Sequence, residues 1–176
     1  MTTDNSTNNS YRADRHLNSL PEKPEMILVV DDEKHQQDSL MQLMSQQGYL
    51  VDAASDGAQA IEKLKHENIG IILLDLNMGG SNGEHVMQFI TDNELDTAVI
   101  VVSGETSFEA AENALKFGAY DFIRKPYSLD NLLNSVNNAM KKRQLEVENL
   151  RMHAQLRESE KLHRYIVNKS PDIVYI

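Results

Sequence analysis

The sequence predicts an α/β fold: a doubly wound, five-stranded parallel sheet with helices on both faces, followed by an extended C-terminal helix. Two observations carry this. Five short apolar runs of strand length recur between residues 26 and 124. Between them, apolar residues repeat every three or four positions, as in helices that bury one face. A parallel sheet needs this alternation, because each crossover must return the chain to the same edge. Right-handed crossovers then place helices on both faces.

Residues 1–24 are poor in apolar groups. Asp4-Asn5-Ser6-Thr7-Asn8-Asn9-Ser10 can bury almost nothing and reads as part of a disordered tail, and Pro21 and Pro24 mark the onset of order. Met26-Ile27-Leu28-Val29-Val30 is a continuous apolar run, as expected of a strand covered on both faces. Leu40, Leu43, Met44 and Gln47 follow at helical spacing, with Gly48 as a stop. Tyr49 to Ala54 reads as the second strand, and Asp56-Gly57 opens a helix carrying Ala60, Ile61 and Leu64. Ile69 to Leu74 is the strongest strand signal, and a short helix from about Gly83 to Ile90 carries Val86, Phe89 and Ile90. Ala98 to Val102 is the fourth strand. Thr106-Ser107-Phe108-Glu109 has a capping-box pattern, so a helix begins there and ends at Gly118. Tyr120 to Arg124 is the fifth strand, and Ser128 is placed to cap the last helix.

That last helix does not stop where a domain of this kind should end. From Ser128 to Val167 there is neither Pro nor Gly, which allows on the order of 60 Å of helix. Val147, Leu150 and Ala154 give a short 3–4 spacing, and Leu162 and Ile166 resume one out of register. A solvated helix and a loose two-stranded coiled coil both fit this pattern.

Seventeen Lys and Arg against twenty-seven Asp and Glu give the 176-residue chain a net charge of −10. That argues against direct nucleic-acid binding, which needs a basic face, and against a polybasic membrane anchor. Cysteine is absent, which removes disulfides, thiolate zinc sites and cysteine nucleophiles. No apolar run approaches the roughly 18 residues of a membrane span, and the N-terminus lacks the layout of a signal peptide. The expectation is a soluble, acidic, cytoplasmic protein.

In such sheets, ligands bind at the carboxyl ends of the strands. Asp31, Asp32 and Glu33 follow the first strand, Asp75 ends the third, Ser103 follows the fourth, and Lys125 and Pro126 follow the fifth. Three aspartates converging on one crevice repel: two unit charges ~4 Å apart cost about 4 kcal/mol at an effective dielectric of 20. A cation relieves this, and all-oxygen ligation suits Mg²⁺. Carboxylates, a divalent cation, an ammonium and a hydroxyl make a phosphoryl-transfer site with an Asp nucleophile. Each residue has a plainer reading: Asp32 as a helix cap, Asp75 as a turn residue, Ser103 as a loop residue, Lys125 as a solvated lysine. Their joint arrival at strand ends favours the functional reading.

The segments Ile27-Leu28-Val29-Val30-Asp31-Asp32-Glu33, Leu73-Leu74-Asp75-Leu76-Asn77-Met78, Val101-Val102-Ser103-Gly104 and Gly118-Ala119-Tyr120-Asp121-Phe122-Ile123-Arg124-Lys125-Pro126-Tyr127 resemble the receiver domain of two-component response regulators. The resemblance covers about residues 25–142, with four separated motifs agreeing in order and spacing. It implies a flavodoxin-like strand order of 2-1-3-4-5. It makes Asp75 the phosphoacceptor, attacking the phosphohistidine of a sensor histidine kinase or phosphotransfer protein. It assigns Mg²⁺ to Asp31, Asp32, Asp75 and the backbone carbonyl of Asn77. Lys125 pairs with the phosphoryl oxygens, and a cis bond to Pro126 sets its direction. Ser103 and Phe122 form the switch, and Asn77 and Glu105 set acyl-phosphate lifetime. Beyond its own phosphorylation and autodephosphorylation, such a domain is not an enzyme.

The sequence departs from the family pattern at Gly79 (usually Pro), Ser81 (usually apolar) and Gly104 (usually Ala), so a looser loop is expected after Asp75. Glu158 to Ile176, with its Ser170-Pro171-Asp172 turn, resembles the opening of a PAS sensor domain. The expected organisation is a disordered tail over 1–24, the receiver over 25–142, a signalling helix over 143–160 and the truncated start of a PAS domain over 161–176. A homodimer through the long helix would relay the signal to an absent output. Two other functions fit the sequence less well. A phosphorylation-independent interaction module is disfavoured by the complete pocket. An aspartyl-phosphate phosphohydrolase needs a second Asp where Asn77 stands.

Overall fold

The apolar runs form strands β1 (Met26–Val30), β2 (Leu50–Ala54), β3 (Ile69–Leu74), β4 (Ala98–Ser103) and β5 (Asp121–Arg124). This architecture comes from a computed structural model that describes residues 25–79, 82–104 and 107–169. All pairings are parallel and the strand order is β2-β1-β3-β4-β5. The helices are α1 (Lys34–Gln46), α2 (Gly57–His66), α3 (Asn82–Asp92), α4 (Phe108–Lys116) and α5 (Leu129–Lys169).

The strands are continuous apolar runs because helices cover both sheet faces; all six residues of β3 are buried. Leu28, Val30, Ile72, Leu74, Val99 and Val101 pack in one core layer with Ala60 and Leu64 of α2, Val86 and Ile90 of α3 and Ala114 of α4. The alternate residues Ile27, Val29, Ile71, Leu73, Ile100 and Val102 pack with Leu40 and Met44 of α1 and Leu132, Val136 and Ala139 of α5. The period of two in the strands thus meets the period of 3.6 in the helices.

Helix starts follow local chemistry. Asp56 accepts a hydrogen bond from the Gln59 amide at 2.8 Å, Ser107 from Ala110 at 3.2 Å and Ser128 from Asn131 at 3.2 Å. For α4 the cap is therefore Ser107, one residue into the expected capping box; Thr106 lies outside the described residues. Gly48 ends α1 at φ +86°, a left-handed conformation that suits glycine. The expected tail over 1–24 and the Ser170-Pro171-Asp172 turn also lie outside the described residues.

Helix α5 runs unbroken for 41 residues, about 61 Å, through both expected boundaries near 142 and 160. Among the described residues no helix is long and apolar enough to cross a membrane. Where α5 crosses the sheet it is held by Arg143, which is only 6% exposed. The guanidinium bonds Glu25 at 3.0 and 3.3 Å and Asp96 at 2.7 Å. Both acids lie at the amino-terminal edge of the sheet, one just before β1 and the other just before β4. Gly70 makes room for the contact: a Cβ there would sit 2.5 Å from the Glu25 Oε2. Because removing one partner leaves charge unpaired, Arg143→Ala is expected to cost about 2 kcal/mol in urea unfolding. Asp96→Ala, at an exposed partner, is expected to cost well under half of that.

Candidate functional site

Strands β1 and β3 are neighbours, with Val30 paired to Leu74, so the residues that follow them emerge side by side at the carboxyl edge. Asp31 and Asp75 are those residues, and they are 2% and 6% exposed. The Asp75 amide donates to the Val30 carbonyl at 2.9 Å, which locks the two strand ends together. On the other side, β4 ends at fully buried Ser103, whose carbonyl accepts the Lys125 amide at 2.8 Å.

The Lys125 ammonium lies between the two aspartates, 2.9 Å from Asp31 Oδ2 and 2.7 Å from Asp75 Oδ2. The Lys125–Pro126 bond is cis, as the resemblance implies. The remaining carboxylate oxygens are taken by backbone amides: Asp31 Oδ1 accepts from Glu33 and Asp75 Oδ1 from Asn77, at 2.9 and 2.8 Å. The side-chain amide of Asn77 reaches the Ser103 hydroxyl at 3.4 Å. Burial by itself pulls the Lys125 pKa down. The hydrogen bonds and charges of Asp75 and Asp31 outweigh it, and the ammonium is held above the usual lysine range.

Of the three aspartates expected to converge, two do. Asp32 is exposed beside them and makes no hydrogen bond or ion pair among the described residues. Nor does it cap α1: the cap position is Glu33, whose side chain makes no cap bond. Among the described residues no three acidic or histidine side chains are grouped so as to hold a metal ion, and Lys125 lies between Asp31 and Asp75. The donors nevertheless match a hard cation. Asp31, Asp75, the outward Asp32 and the Asn77 carbonyl offer only oxygen. Phe122 is half-buried against the core layer beneath α4. Glu105 lies outside the described residues.

Sequence reasoning missed three supporting residues. Gln37 is buried and donates to the carbonyls of Ala54 and Asp31 at 2.9 and 3.3 Å, pinning the β1 exit. Its place three residues before Leu40, on the apolar face of α1, was a readable signal. Gly83 lets α3 approach the chain that leaves β3: a Cβ would sit 2.8 Å from the Leu76 Cα and 3.0 Å from the Asp75 carbonyl oxygen. Tyr127 is half-buried near Lys125 and Asp31. Burial raises its hydroxyl pKa, and the Asp31 charge adds to this against the pull of Lys125.

A family model described as the response regulator receiver domain matches residues 27–137. The C4-dicarboxylate transport transcriptional regulatory protein DctD of Pseudomonas aeruginosa is 30% identical over 144 residues, covering 82% of this chain and 31% of that protein. The chain thus spans less than a third of the length of that relative. Among solved structures, the signal receiver domain of a putative Luxo repressor protein from Vibrio parahaemolyticus superposes with a TM-score of 0.67 at 29% identity, covering 70% of this chain and 95% of that one. A beryllofluoride-activated NtrC4 receiver domain dimer gives 0.63 at 35% identity, covering 67% and 98%.

Two outcomes follow from the geometry. Lys125→Met leaves two buried carboxylates facing each other and is expected to lower stability by about 3 kcal/mol at neutral pH. The folded-state pKa of Lys125 is raised, so its contribution is complete below the unfolded lysine value of about 10.4 and is lost as pH rises through the folded value. Urea unfolding should therefore show a constant gap between wild type and variant from neutral pH to about pH 10, closing above it. Gly83→Ala must push α3 off the Asp75–Leu76 backbone, and thermal unfolding should show a loss of about 1–3 kcal/mol.

Proposed function

The chain belongs to the response regulator receiver family, and from that membership we propose that it accepts a phosphoryl group on Asp75 and passes the change along α5 to an output region. The observation that supports this most is the buried pair Asp31 and Asp75 held by one lysine at the carboxyl edge of the sheet.

The donor is the phosphohistidine of a sensor kinase or phosphotransfer protein. An Asp75 Oδ attacks phosphorus in line, an O–P bond forms, the N–P bond breaks, and the imidazole leaves and takes up a proton. Asp75 is ready for this as a carboxylate, held in direction by the Asn77 amide. Lys125 already touches the nucleophile and can follow the incoming phosphoryl oxygens without crossing the pocket. Ser103 donates its hydroxyl to the same oxygens, and Phe122 repacks as Ser103 moves. Asn77 and Glu105 set the lifetime of the acyl phosphate.

Asp31, Asp32, Asp75 and the Asn77 carbonyl would hold Mg²⁺, which when bound neutralises charge on the transferred group. Asp32 is the readiest of these, since Asp31 and Asp75 each already satisfy an amide and the ammonium.

The reading extends to the rest of the chain. Residues 25–142 act as the receiver in the cytoplasm, with no catalysis beyond its own phosphorylation and dephosphorylation. Residues 143–160 form the signalling helix, residues 161–176 open a PAS domain, and two copies associate through α5. A dimeric receiver among the similar solved structures supports association.

Two measurements test the site. Asp75→Asn should take up no radiolabel from a phosphorylated kinase or a small acyl phosphate; undiminished labelling would place the acceptor elsewhere. Chelating Mg²⁺ should slow labelling of the wild type by about a hundredfold. Calorimetric Mg²⁺ titration should weaken in both Asp32→Asn and Asp75→Asn, and a titration indifferent to both rejects the metal assignment.

A further inference from the structure

We propose that α5 beyond Arg143 forms a parallel, in-register, two-stranded coiled coil with a second copy of this chain, along a seam of Leu145, Asn149, Met152, Leu156, Ser159, His163 and Ile166. This deepens the reading of α5 as the element through which two copies associate.

The helix has two faces with different fates. Leu132, Val136, Ala139 and Arg143 form the buried row that lies on the sheet. At 3.6 residues per turn, the seam residues fall on nearly the opposite side. Over the sheet that outer side carries Asn131, Asn134 and Asn138, all exposed and polar. Past Arg143, where the helix leaves the sheet, the same side turns apolar: Leu145, Met152, Leu156 and Ile166 are 56, 56, 57 and 56% exposed. Solvent alone gives no reason for that change at that point.

The spacing fits one heptad frame. Leu145, Met152, Ser159 and Ile166 take position d, and Asn149, Leu156 and His163 take position a. Leu162 and Ile166 read as out of register with Val147, Leu150 and Ala154; in this frame Ile166 is on the seam, and Leu162 and Val167 fall beside it at g and e. Among the large apolar side chains described as exposed after Arg143, only Tyr165 lies off this face.

Charge selects the partner and its direction. In a parallel pair each g residue faces the e residue five positions on in the other copy. Lys141 then meets Glu146, Glu148 meets His153, Gln155 meets Glu160 and Leu162 meets Val167. No pair is repulsive, and the last adds apolar area where the seam is widest. Within one chain Glu146 has only a 3.9 Å contact with Lys142, so it can turn to the second copy. Asn149 at an a position favours two strands in register, each amide pairing with its counterpart. A seam of three heptads with polar layers is short, and its association should be reversible in the micromolar range.

The full chain has no cysteine, so single cysteines report contacts without background. Under mild oxidation, Met152→Cys and Ile166→Cys should each cross-link to themselves at least tenfold faster than the off-seam controls Ala154→Cys and Glu158→Cys. Light scattering should give two chains. Lys141→Glu should raise the dimer dissociation constant roughly fivefold, and adding Glu146→Lys should restore it. Equal cross-linking at all four sites, a three-chain species, or a monomer at tens of micromolar overturns the proposal. So does preferential joining of Leu145→Cys to Ile166→Cys, the mark of an antiparallel pair. Labelling at Asp75 is measured on the same variants. A monomer that still labels defeats the seam alone, and a cross-linked dimer that does not label supports the seam and defeats the phosphoacceptor reading.

Discussion

The site depends on one ammonium between two buried carboxylates. Asp31 and Asp75 are adjacent because β1 and β3 are adjacent, and so close a pair of buried charges would be costly without a counter-charge. Lys125 supplies it from the end of β5, two strands away from β3 in the sheet. The contact therefore closes the carboxyl edge across most of its width. It also leaves the excess charge finely set: two carboxylates against one ammonium, with exposed Asp32 beside them, is a pocket still short of positive charge. Under the proposed function, a cation would answer that deficit and a phosphoryl group would offer Lys125 a second set of oxygens.

The backbone gives this arrangement its stiffness. Each aspartate has one oxygen on the ammonium and the other on an amide two residues further along the chain. Neither carboxylate can rotate without losing a bond. Gln37 ties the Asp31 carbonyl to the end of β2, and the missing Cβ of Gly83 lets α3 lie against the Asp75 carbonyl. The position of Asp75 is therefore set by the strand ends and their supports, more than by the loop after Met78, where Gly79 adopts φ +43°.

The fold was legible because its signals are periodic. Apolar runs such as Ile69–Leu74 admit only a doubly covered strand, and Asp56 and Ser128 cap the helices that their positions announced. Much of the site was legible for a related reason, since acids, hydroxyl and lysine each follow an apolar run. What escaped were contacts between segments distant in sequence. Nothing local marks Glu25, Asp96 and Arg143 as partners, because they meet only after the sheet is assembled. Gly70 and Gly83 carry no pattern of their own, since what matters is the atom each one makes room for. Three aspartates at strand ends do not announce which of them share the ammonium; Asp31 and Asp75 do. Asp31 is buried where β1 ends, and Asp32, in the bend that follows, is exposed.

The packed segment of α5 is tied to the pocket at one end and to the far edge of the sheet at the other. The helix begins only a few residues after Lys125 and the cis Pro126, with Ser128 as its cap, so its first turn is tied to the residue that pairs with Asp75. Its last packed turn is clamped by Arg143 at the opposite edge of the sheet. Between them Leu132, Val136 and Ala139 lie on the same core layer as β1, β3 and β4. A rod held at both ends and packed along one side has little freedom to bend, but it can roll or slide slightly on apolar side chains. Beyond Arg143 such a roll would change which side the helix presents. Under the proposed function, the outer side turning from asparagine to leucine at that point would make a small rotation count at the far end.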